Sequence, residues 1–224
     1  TVVLTAAMIG AFFPAARLYR LRGTMSVADQ AAAKLFAYLR REPGVRQVDN
    51  AVPLDRVSQT IRLEQVTLAD PDGAKLLDRA DLTMKAGSRV AILASEPSAS
   101  LALAGLLMRL YDPAAGRITF DGFDIATATL ETIRGQSLLV PADGMVFEGT
   151  VHDNISCGDA GFTMLQVTDA AKQARAHSFI VDLPHGFNTQ IAGDGAQLDA
   201  SQAFRIGLAR ALLRNPSILV VVEP

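Results

Sequence analysis

Residues 89–110, RVAILASEPSASLALAGLLMRL, constrain the fold more than any other segment of the chain. A short apolar run from Val90 to Leu93 is followed by a loop containing Pro97 and then by an apolar stretch from Leu101 to Leu110. The short run predicts a buried strand and the longer stretch predicts a helix. We therefore expect a strand, loop and helix unit, which is typical of an α/β domain.

This layout is that of a P-loop, in which the pattern G-x-x-x-x-G-K-[ST] joins a buried strand to a helix around a phosphate. The two glycine positions hold Ala94 and Ala99, the lysine position holds Ser100, and the hydroxyl position holds Leu101. Alanine resists the positive φ that glycine adopts freely, and serine carries no charge for a phosphate. The scaffold is present without its phosphate-holding residues, and we expect poor nucleotide affinity at this loop.

The charge balance excludes one class of partner. The 224 residues include 21 basic and 23 acidic side chains, for a formal net charge of −2. A nucleic-acid-binding domain shows a basic footprint, and this chain has none. The three histidines, His152, His177 and His185, have spacings that suit no metal site.

The first sixteen residues, TVVLTAAMIGAFFPAA, carry no charge and are followed by Arg17, Arg20 and Arg22. A secretory signal places its positive charges before the apolar stretch, which is the opposite order. The segment therefore predicts the end of a transmembrane helix with the arginines on its cytoplasmic flank. The alternative is a buried amphipathic helix of a soluble protein.

The remaining pattern predicts alternating strands and helices. Ser26 and Asp29 have capping-box spacing at the start of a helix that reaches Arg41. A linker with Pro43 and Pro53 follows. We then expect the following elements: a bulged strand in which Ile61/Leu63 and Val66/Leu68 alternate in two phases; strands at Leu82–Met84, Leu138–Val140 and Ile218–Val222; a turn at Asp121-Gly122; and helical stretches at Thr163–Leu183 and Ser201–Arg214.

The order and spacing of several segments resemble the nucleotide-binding domain of an ATP-binding cassette (ABC) exporter with the end of its fused membrane domain. The resemblance is carried by RVAI at 89–92, LLMRLYDPAAGRITFDGFDI at 106–125, LVPADGMVFEGTVHDNIS at 139–156, ARAHSFIVDLPHGFNT at 174–189 and GAQLDASQAFRIGLARALLRNPSILVVVEP at 195–224. It implies a P-loop NTPase-like α/β cassette with an antiparallel β subdomain near 61–125 and a helical subdomain near 145–212.

The resemblance also assigns site positions, and most of them hold other residues. The position of the adenine-stacking aromatic is Asp70, and the position of the glutamine that contacts magnesium and water is Ala142. The signature LSGGQ reads Leu198-Asp199-Ala200-Ser201-Gln202, in which Gln202 is a remnant of the nucleotide-binding motif. Asp199 would place a carboxylate where the family binds the γ-phosphate. The alternative for Gln202 is a surface polar residue near a helix start.

The end of the last strand carries the family's metal and catalytic positions. Val222 occupies the position of the aspartate that binds Mg²⁺, and Glu223 matches the catalytic glutamate. A base is useful only beside a positioned phosphate and metal, because phosphoryl transfer depends on positioning and charge stabilisation. The alternative for Glu223 is a solvent-exposed acid at a strand end.

The resemblance implies three regions: the end of the last transmembrane helix (1–22), a cytosolic helix and linker (23–57), and the cassette-like domain (58–224). It implies ATP and Mg²⁺ as cofactors, a membrane location with the cassette on the cytoplasmic side, and two partners, the transporter's transmembrane domain and a second cassette in a homodimer or heterodimer. We expect a coupling module that binds and hydrolyses ATP poorly or not at all. The alternatives are a working ATPase completed by a paired cassette, or a copy drifting without function.

Overall fold

The computed structural model describes residues 25, 27–40, 44–70, 73–94, 97–193 and 195–222. The chain divides into two compact units, Thr1–Gly44 and Val45–Pro224. In the first unit, residues 27–39 form helix α1, as predicted, and its Leu35 and Leu39 are exposed. Ser26 and the predicted membrane segment lie outside the described residues. Within the described ranges, none of the helices combines the length and apolarity needed to cross a bilayer.

The second unit contains a four-stranded antiparallel sheet with the strand order β2-β1-β3-β4. Its strands are β1 (Thr60–Ala69), β2 (Lys75–Lys85), β3 (Ala115–Phe120) and β4 (Phe123–Asp124). The predicted bulge in β1 is confirmed, because the register shifts between Leu63 and Val66 and Gln65 has a φ of +51°. The extra residue turns both apolar pairs, Ile61/Leu63 and Val66/Leu68, to the same buried face.

The predicted turn between β3 and β4 is also confirmed. Asp121 and Gly122 have φ values of +50° and +89°, as a two-residue hairpin turn with positive φ at both central positions requires. The Asp121 carboxylate accepts hydrogen bonds from the N–H groups of Ser58, Gln59 and Thr60 at 2.8, 2.9 and 2.7 Å. Burial alone raises the pKa of Asp121, but these hydrogen bonds outweigh burial and lower the pKa.

Helix α2 (Pro97–Leu107) packs on this sheet. Its Leu103, Leu106 and Leu107 are buried in one core with residues of β1 and β3. The helix ends earlier than the predicted Leu110, because Arg109 adopts a left-handed φ of +49° and the Leu110 N–H bonds back to the Gly105 carbonyl at 2.7 Å.

The predicted strand from Val90 to Leu93 is absent. Residues 88–94 are irregular, and Val90, Ile92 and Leu93 are 44%, 43% and 97% exposed. A strand requires a neighbouring backbone to accept and donate its hydrogen bonds, and in the described part of the chain no strand pairs with this segment. The apolar pattern alone carries no information about that neighbour.

A separate parallel pair confirms two further predicted strands. Helix α3 (Leu130–Gln136) leads into β5 (Ser137–Val140), which pairs with β8 (Ile218–Val221) in a parallel register from Ser137↔Ile218 to Val140↔Val221. The parallel arrangement brings the carboxyl ends of β5 and β8 side by side.

The residues between β5 and β8 form a mainly helical region with its own core. It contains β6 (Gly149–Thr150), α4 (Val151–Ser156), α5 (Met164–Gln173), α6 (His177–Val181), β7 (Gln190–Ile191) and α7 (Ala200–Leu213). The predicted helical stretch Thr163–Leu183 is two helices, because Arg175 has a left-handed φ of +55° that ends α5. The predicted end of α7 before Asn215-Pro216 is confirmed, and Asn215 itself has a φ of +47°.

The segment from Val45 to Ser58, at the start of the second unit, is hydrogen-bonded to the rest of that unit. Arg109, only 2% exposed, donates to the Arg46 carbonyl at 3.1 Å and to the Ile125 and Ala128 carbonyls at 3.0 and 3.1 Å. Side chains of α3 accept from Leu54 N–H and Val57 N–H through Thr132 Oγ1 and Gln136 Oε1, at 3.2 and 2.8 Å. The predicted boundary near residue 58 stays a prediction, while the compact unit begins at Val45.

Candidate functional site

The loop and first turns of α2 hold the P-loop positions. Ala94 is exposed, Ala99 and Ser100 are half-buried within the first turns of the helix, and the Leu101 side chain is 48% exposed. The helix N-terminus retains backbone N–H groups and a favourable dipole, typically worth below about 1 kcal/mol for an anion. Among the described residues of this segment, 94 and 97–101, none is a cation, and the apolar Leu101 stands at the hydroxyl position. This donor set does not fit a triphosphate with bound Mg²⁺.

Asp70, at the position of the adenine-stacking aromatic, has a structural role in the β1–β2 turn. Its carboxylate accepts from the Ala74 N–H at 2.8 Å, and its own N–H donates to the Ala74 carbonyl at 2.9 Å. These bonds close the connection between the two strands. An aspartate offers no ring face for a base, so the position does not fit an adenine contact.

The loop after β5 holds Ala142 at the glutamine position and packs directly on α7. A turn joins the Gly144 N–H to the Pro141 carbonyl at 3.0 Å. Gly144 has a φ of +69°, and a Cβ at this residue would lie 2.1 Å from the Ala203 carbonyl oxygen. A Cβ on Gly207 would lie 2.7 Å from the Gly144 oxygen. Two glycines therefore allow the loop backbone to contact the helix backbone.

Arg210 of α7 joins this loop to α4. Its Nε donates to the Asn154 carbonyl at 2.7 Å, its Nη1 approaches the Gly144 carbonyl at 3.4 Å, and its guanidinium lies 5.4 Å from the centre of the Phe147 ring. Burial lowers the pKa of Arg210 from its ordinary value. Among the described residues, no carboxylate pairs with this cation. Carbonyl oxygens and an aromatic face stabilise the charge instead.

The fully buried Asn154 completes the same cluster. Its Oδ1 accepts from the Phe147 N–H at 2.9 Å, and its Nδ2 donates to the Phe147 and Thr150 carbonyls at 2.8 and 3.1 Å. Polar contacts of Asn154 and Arg210 therefore hold residues 144–150, α4 and α7 together. Sequence reasoning missed Arg210 and Asn154, because their partners are backbone groups distant along the chain.

The signature positions lie at the N-terminus of α7, where Asp199 is the capping residue. Its Oδ1 accepts from the Gln202 N–H at 2.7 Å, and Gln202 Oε1 accepts from the Asp199 N–H at 3.0 Å. This capping box uses the Gln202 side chain within its own helix. The D-x-x-Q spacing before an apolar helix predicts this contact, and it is the signal that the sequence reasoning overlooked.

The strand-end positions are adjacent to the loop after β5. The Val222 N–H donates to the Val140 carbonyl at 2.9 Å, which places an apolar side chain at the Mg²⁺-ligand position. Glu223 lies outside the described residues. Among the described residues, no group of three or more His, Cys, Asp or Glu side chains has metal-binding geometry. The structure thus brings together the Val222 position and the Ala142 loop at the ends of two paired strands.

The protein-family model for ABC transporters matches residues 77–224, and the chain belongs to that family. The matched region is the family's ATP-binding cassette, and the predicted mixed α/β cassette fold with its antiparallel sheet is confirmed. The family uses ATP and Mg²⁺ generally.

The chain spans slightly more than a third of the length of the two curated relatives described next and a third of the solved structure. The "Uncharacterized ABC transporter ATP-binding protein y4gM" of Sinorhizobium fredii is 33% identical over 97% of this chain and 37% of the relative. The "ATP-dependent lipid A-core flippase" of Syntrophus aciditrophicus is 34% identical over 97% of this chain and 36% of the relative. The structure of a bacterial Atm1-family ABC exporter with ATP bound has a TM-score of 0.77 at 35% identity, covering 85% of this chain and 33% of that chain.

Proposed function

We propose that this chain is the cytoplasmic cassette module of a membrane exporter, that it couples cassette movement to transport, and that its own ATP site binds and hydrolyses ATP poorly or not at all. The cassette assignment rests on the family. The poor ATP site is supported by one observation: Ser100 carries no charge at the lysine position, and Leu101 and Val222 carry no oxygen at the two Mg²⁺-ligand positions.

The missing lysine is the largest single effect. An ammonium at about 4 Å from a phosphate oxygen contributes about 4 kcal/mol at an effective dielectric constant of about 20, before desolvation is subtracted. The helix dipole at the start of α2 offers at most about a quarter of that figure. Leu101 and Val222 supply no oxygen for Mg²⁺, which requires oxygen ligands. The charge on the triphosphate would therefore be poorly balanced at this site.

The start of α7 is equally unsuited to a γ-phosphate. The Asp199 carboxylate already satisfies the N–H group of Gln202, which would otherwise be available to an anion. A phosphate would also meet a like charge there. We propose that Gln202 is a remnant of the nucleotide-binding signature and that Glu223 retains the position of the catalytic base without a metal and phosphate to act on.

Coupling is supported by the rigid contact between the loop after β5 and α7. The Gly144–Gly207 backbone contact and the Arg210 cluster bind this loop to two helices. A displacement of α7 would therefore move the carboxyl end of β5 with it. We propose that the partners are the transmembrane domain of the same transporter and a second cassette, as a homodimer or heterodimer, at the cytoplasmic face of a membrane. The assignments of 1–22 as membrane helix, 23–57 as helix and linker and 58–224 as cassette are part of this proposal.

Calorimetric titration of the chain with ATP, with and without Mg²⁺, tests the poor ATP site. We expect no Mg²⁺-dependent binding in the micromolar range. The matched variant restores the three positions together, Ser100→Lys, Leu101→Ser and Val222→Asp, and we expect it to bind ATP more tightly in the presence of Mg²⁺. Micromolar, Mg²⁺-dependent binding by the unchanged chain would refute the proposal and favour a working ATPase subunit.

A further inference from the structure

A groove of about 810 Å³ lies between the end of α5, the start of α6 and the start of α7. It is separate from the P-loop positions on α2. Three cations line it: Lys172 and Arg175 from the end of α5 and Arg205 from α7. Ser178 and Ser201 add hydroxyl groups, and half-buried Phe204 adds an aromatic face. His177 also lines the groove, and its ring packs 6.2 Å from the ring of Phe187.

The cations of the groove have little acidic compensation. Lys172 lies 3.5 Å from the Asp169 carboxylate, in a pair whose two side chains are 56% and 53% exposed. Across the described ranges, no acidic side chain comes within ion-pair distance of Arg175 or Arg205. Arg205 Nη1 approaches the Arg175 carbonyl at 3.5 Å, which holds the two arginines of adjacent helices at the same wall. The capping carboxylate of Asp199 is engaged within α7.

We propose that this groove binds the phosphate chain of a small polyphosphate, either a nucleotide or an inorganic polyphosphate. Guanidinium groups match phosphoryl oxygens with paired N–H donors, and the hydroxyl groups supply further donors to a multiply charged anion. A carboxylate has fewer acceptor oxygens and a lower charge than a polyphosphate, so it would use these donors less fully. The volume lies within the range of about 300 to 1,000 Å³ that small-molecule sites occupy. Phe204 is placed to stack a base when the phosphate chain belongs to a nucleotide.

The inference goes beyond the proposed function: of the lining residues only Ser201 belongs to the signature, and the cations Lys172, Arg175 and Arg205 hold none of the ATP-site positions that the resemblance assigns. Any anion held here needs no Mg²⁺, since the balancing charges are side chains. Binding should therefore occur without Mg²⁺ and weaken with salt, because exposed charge pairs are screened over about 10 Å at 0.1 M ionic strength.

Calorimetric titration of the full chain with tripolyphosphate at about 20 mM and about 200 mM salt tests the site. We expect binding without Mg²⁺ that weakens about tenfold in the double variant Arg175→Gln and Arg205→Gln, since each exposed cation contributes up to about fivefold. Arg62→Gln is the control for each of the two substitutions, because Arg62 is an exposed strand residue outside the groove and its loss removes one positive charge, as each of them does. Arg205→Lys keeps the charge and should retain most of the affinity.

Two further arms decide the source and class of the ligand. ATP binding tighter than tripolyphosphate, with the gain removed by Phe204→Leu, assigns the site to nucleotides, whereas equal affinity assigns it to free polyphosphate. The inference is overturned if tripolyphosphate does not bind at low salt, if Arg62→Gln weakens binding as much as the double variant, or if tetraglutamate binds more tightly than tripolyphosphate. Mg²⁺-dependent ATP binding abolished by Ser100→Glu would instead refute the poor ATP site and leave the tripolyphosphate result unchanged.

Discussion

Replacing Arg210 by methionine should destabilise the chain by about 2 to 4 kcal/mol. Methionine keeps most of the apolar stem but removes the charged donor to the Asn154 carbonyl, which lies 2.7 Å from Nε. A hydrogen bond from a charged group contributes about 1.5 to 3 kcal/mol, and the contact with the Phe147 ring at 5.4 Å adds about 0.5 to 1 kcal/mol. Arg210→Lys should give an intermediate loss, because an ammonium keeps the charge but cannot span the same acceptors.

Urea denaturation followed by far-ultraviolet circular dichroism measures the difference, since the chain has no tryptophan. The matched control is Arg214→Met on the same helix. The Arg214 guanidinium also faces an aromatic ring, that of Phe162 at 5.9 Å, but within the described residues its side chain makes no hydrogen bond like the one from Arg210. We expect the control to lose less than about 1 kcal/mol. Equal losses in the two variants would refute the view that the part-buried hydrogen bonds of Arg210 stabilise the cluster.

Three further predictions concern the same domain. Gly207→Ala should lower the free energy of unfolding by about 1 to 3 kcal/mol, because its Cβ would lie 2.7 Å from the Gly144 oxygen. Gly135→Ala in α3 is the control: its Cβ would meet open space, so it should stabilise the chain slightly. Urea midpoints of the two variants measure the difference. Asp199→Ala should lower stability by about 1 kcal/mol and Asp199→Ser much less, if its carboxylate is a helix cap. The lowered pKa of Asp121 means that its carboxylate contributes stability above its ordinary pKa of 3.8, and this stability is lost as pH falls through the lower pKa of the folded state. The urea midpoint of Asp121→Asn should therefore fall less steeply below about pH 4 than that of the unchanged chain. A steeper fall would contradict the hydrogen-bonded carboxylate.

The antiparallel sheet was predictable from local signals. The two phases of alternation in β1 require a bulge, and Asp121-Gly122 suits only a tight turn, so both features follow from short-range stereochemistry. The end of α7 is similarly local, since Asn215 and Pro216 end a helix by their own backbone preferences. In each case the residues that determine the feature are neighbours in sequence.

The failures share a different cause. The run from Val90 to Leu93 has the composition of a buried strand, but burial depends on a partner strand that composition does not specify. The Arg210 cluster was not predicted because a cation in a helical pattern is usually solvent-exposed, and its carbonyl partners come from other elements. The P-loop and signature positions were located by resemblance, while the capping role of Asp199 and Gln202 required the observed hydrogen bonds.

Arg109 fixes the segment that begins at Val45 to the interior of the domain. One buried guanidinium donates to the carbonyls of Ile125 and Ala128, just after β4, and also to the carbonyl of Arg46. Side chains of α3 hold the same segment further along, because Thr132 and Gln136 accept hydrogen bonds from the N–H groups of Leu54 and Val57. The segment before the first strand is therefore fixed to the interior of its own unit, and removing the Arg109 guanidinium would release Arg46 from the residues that follow β4.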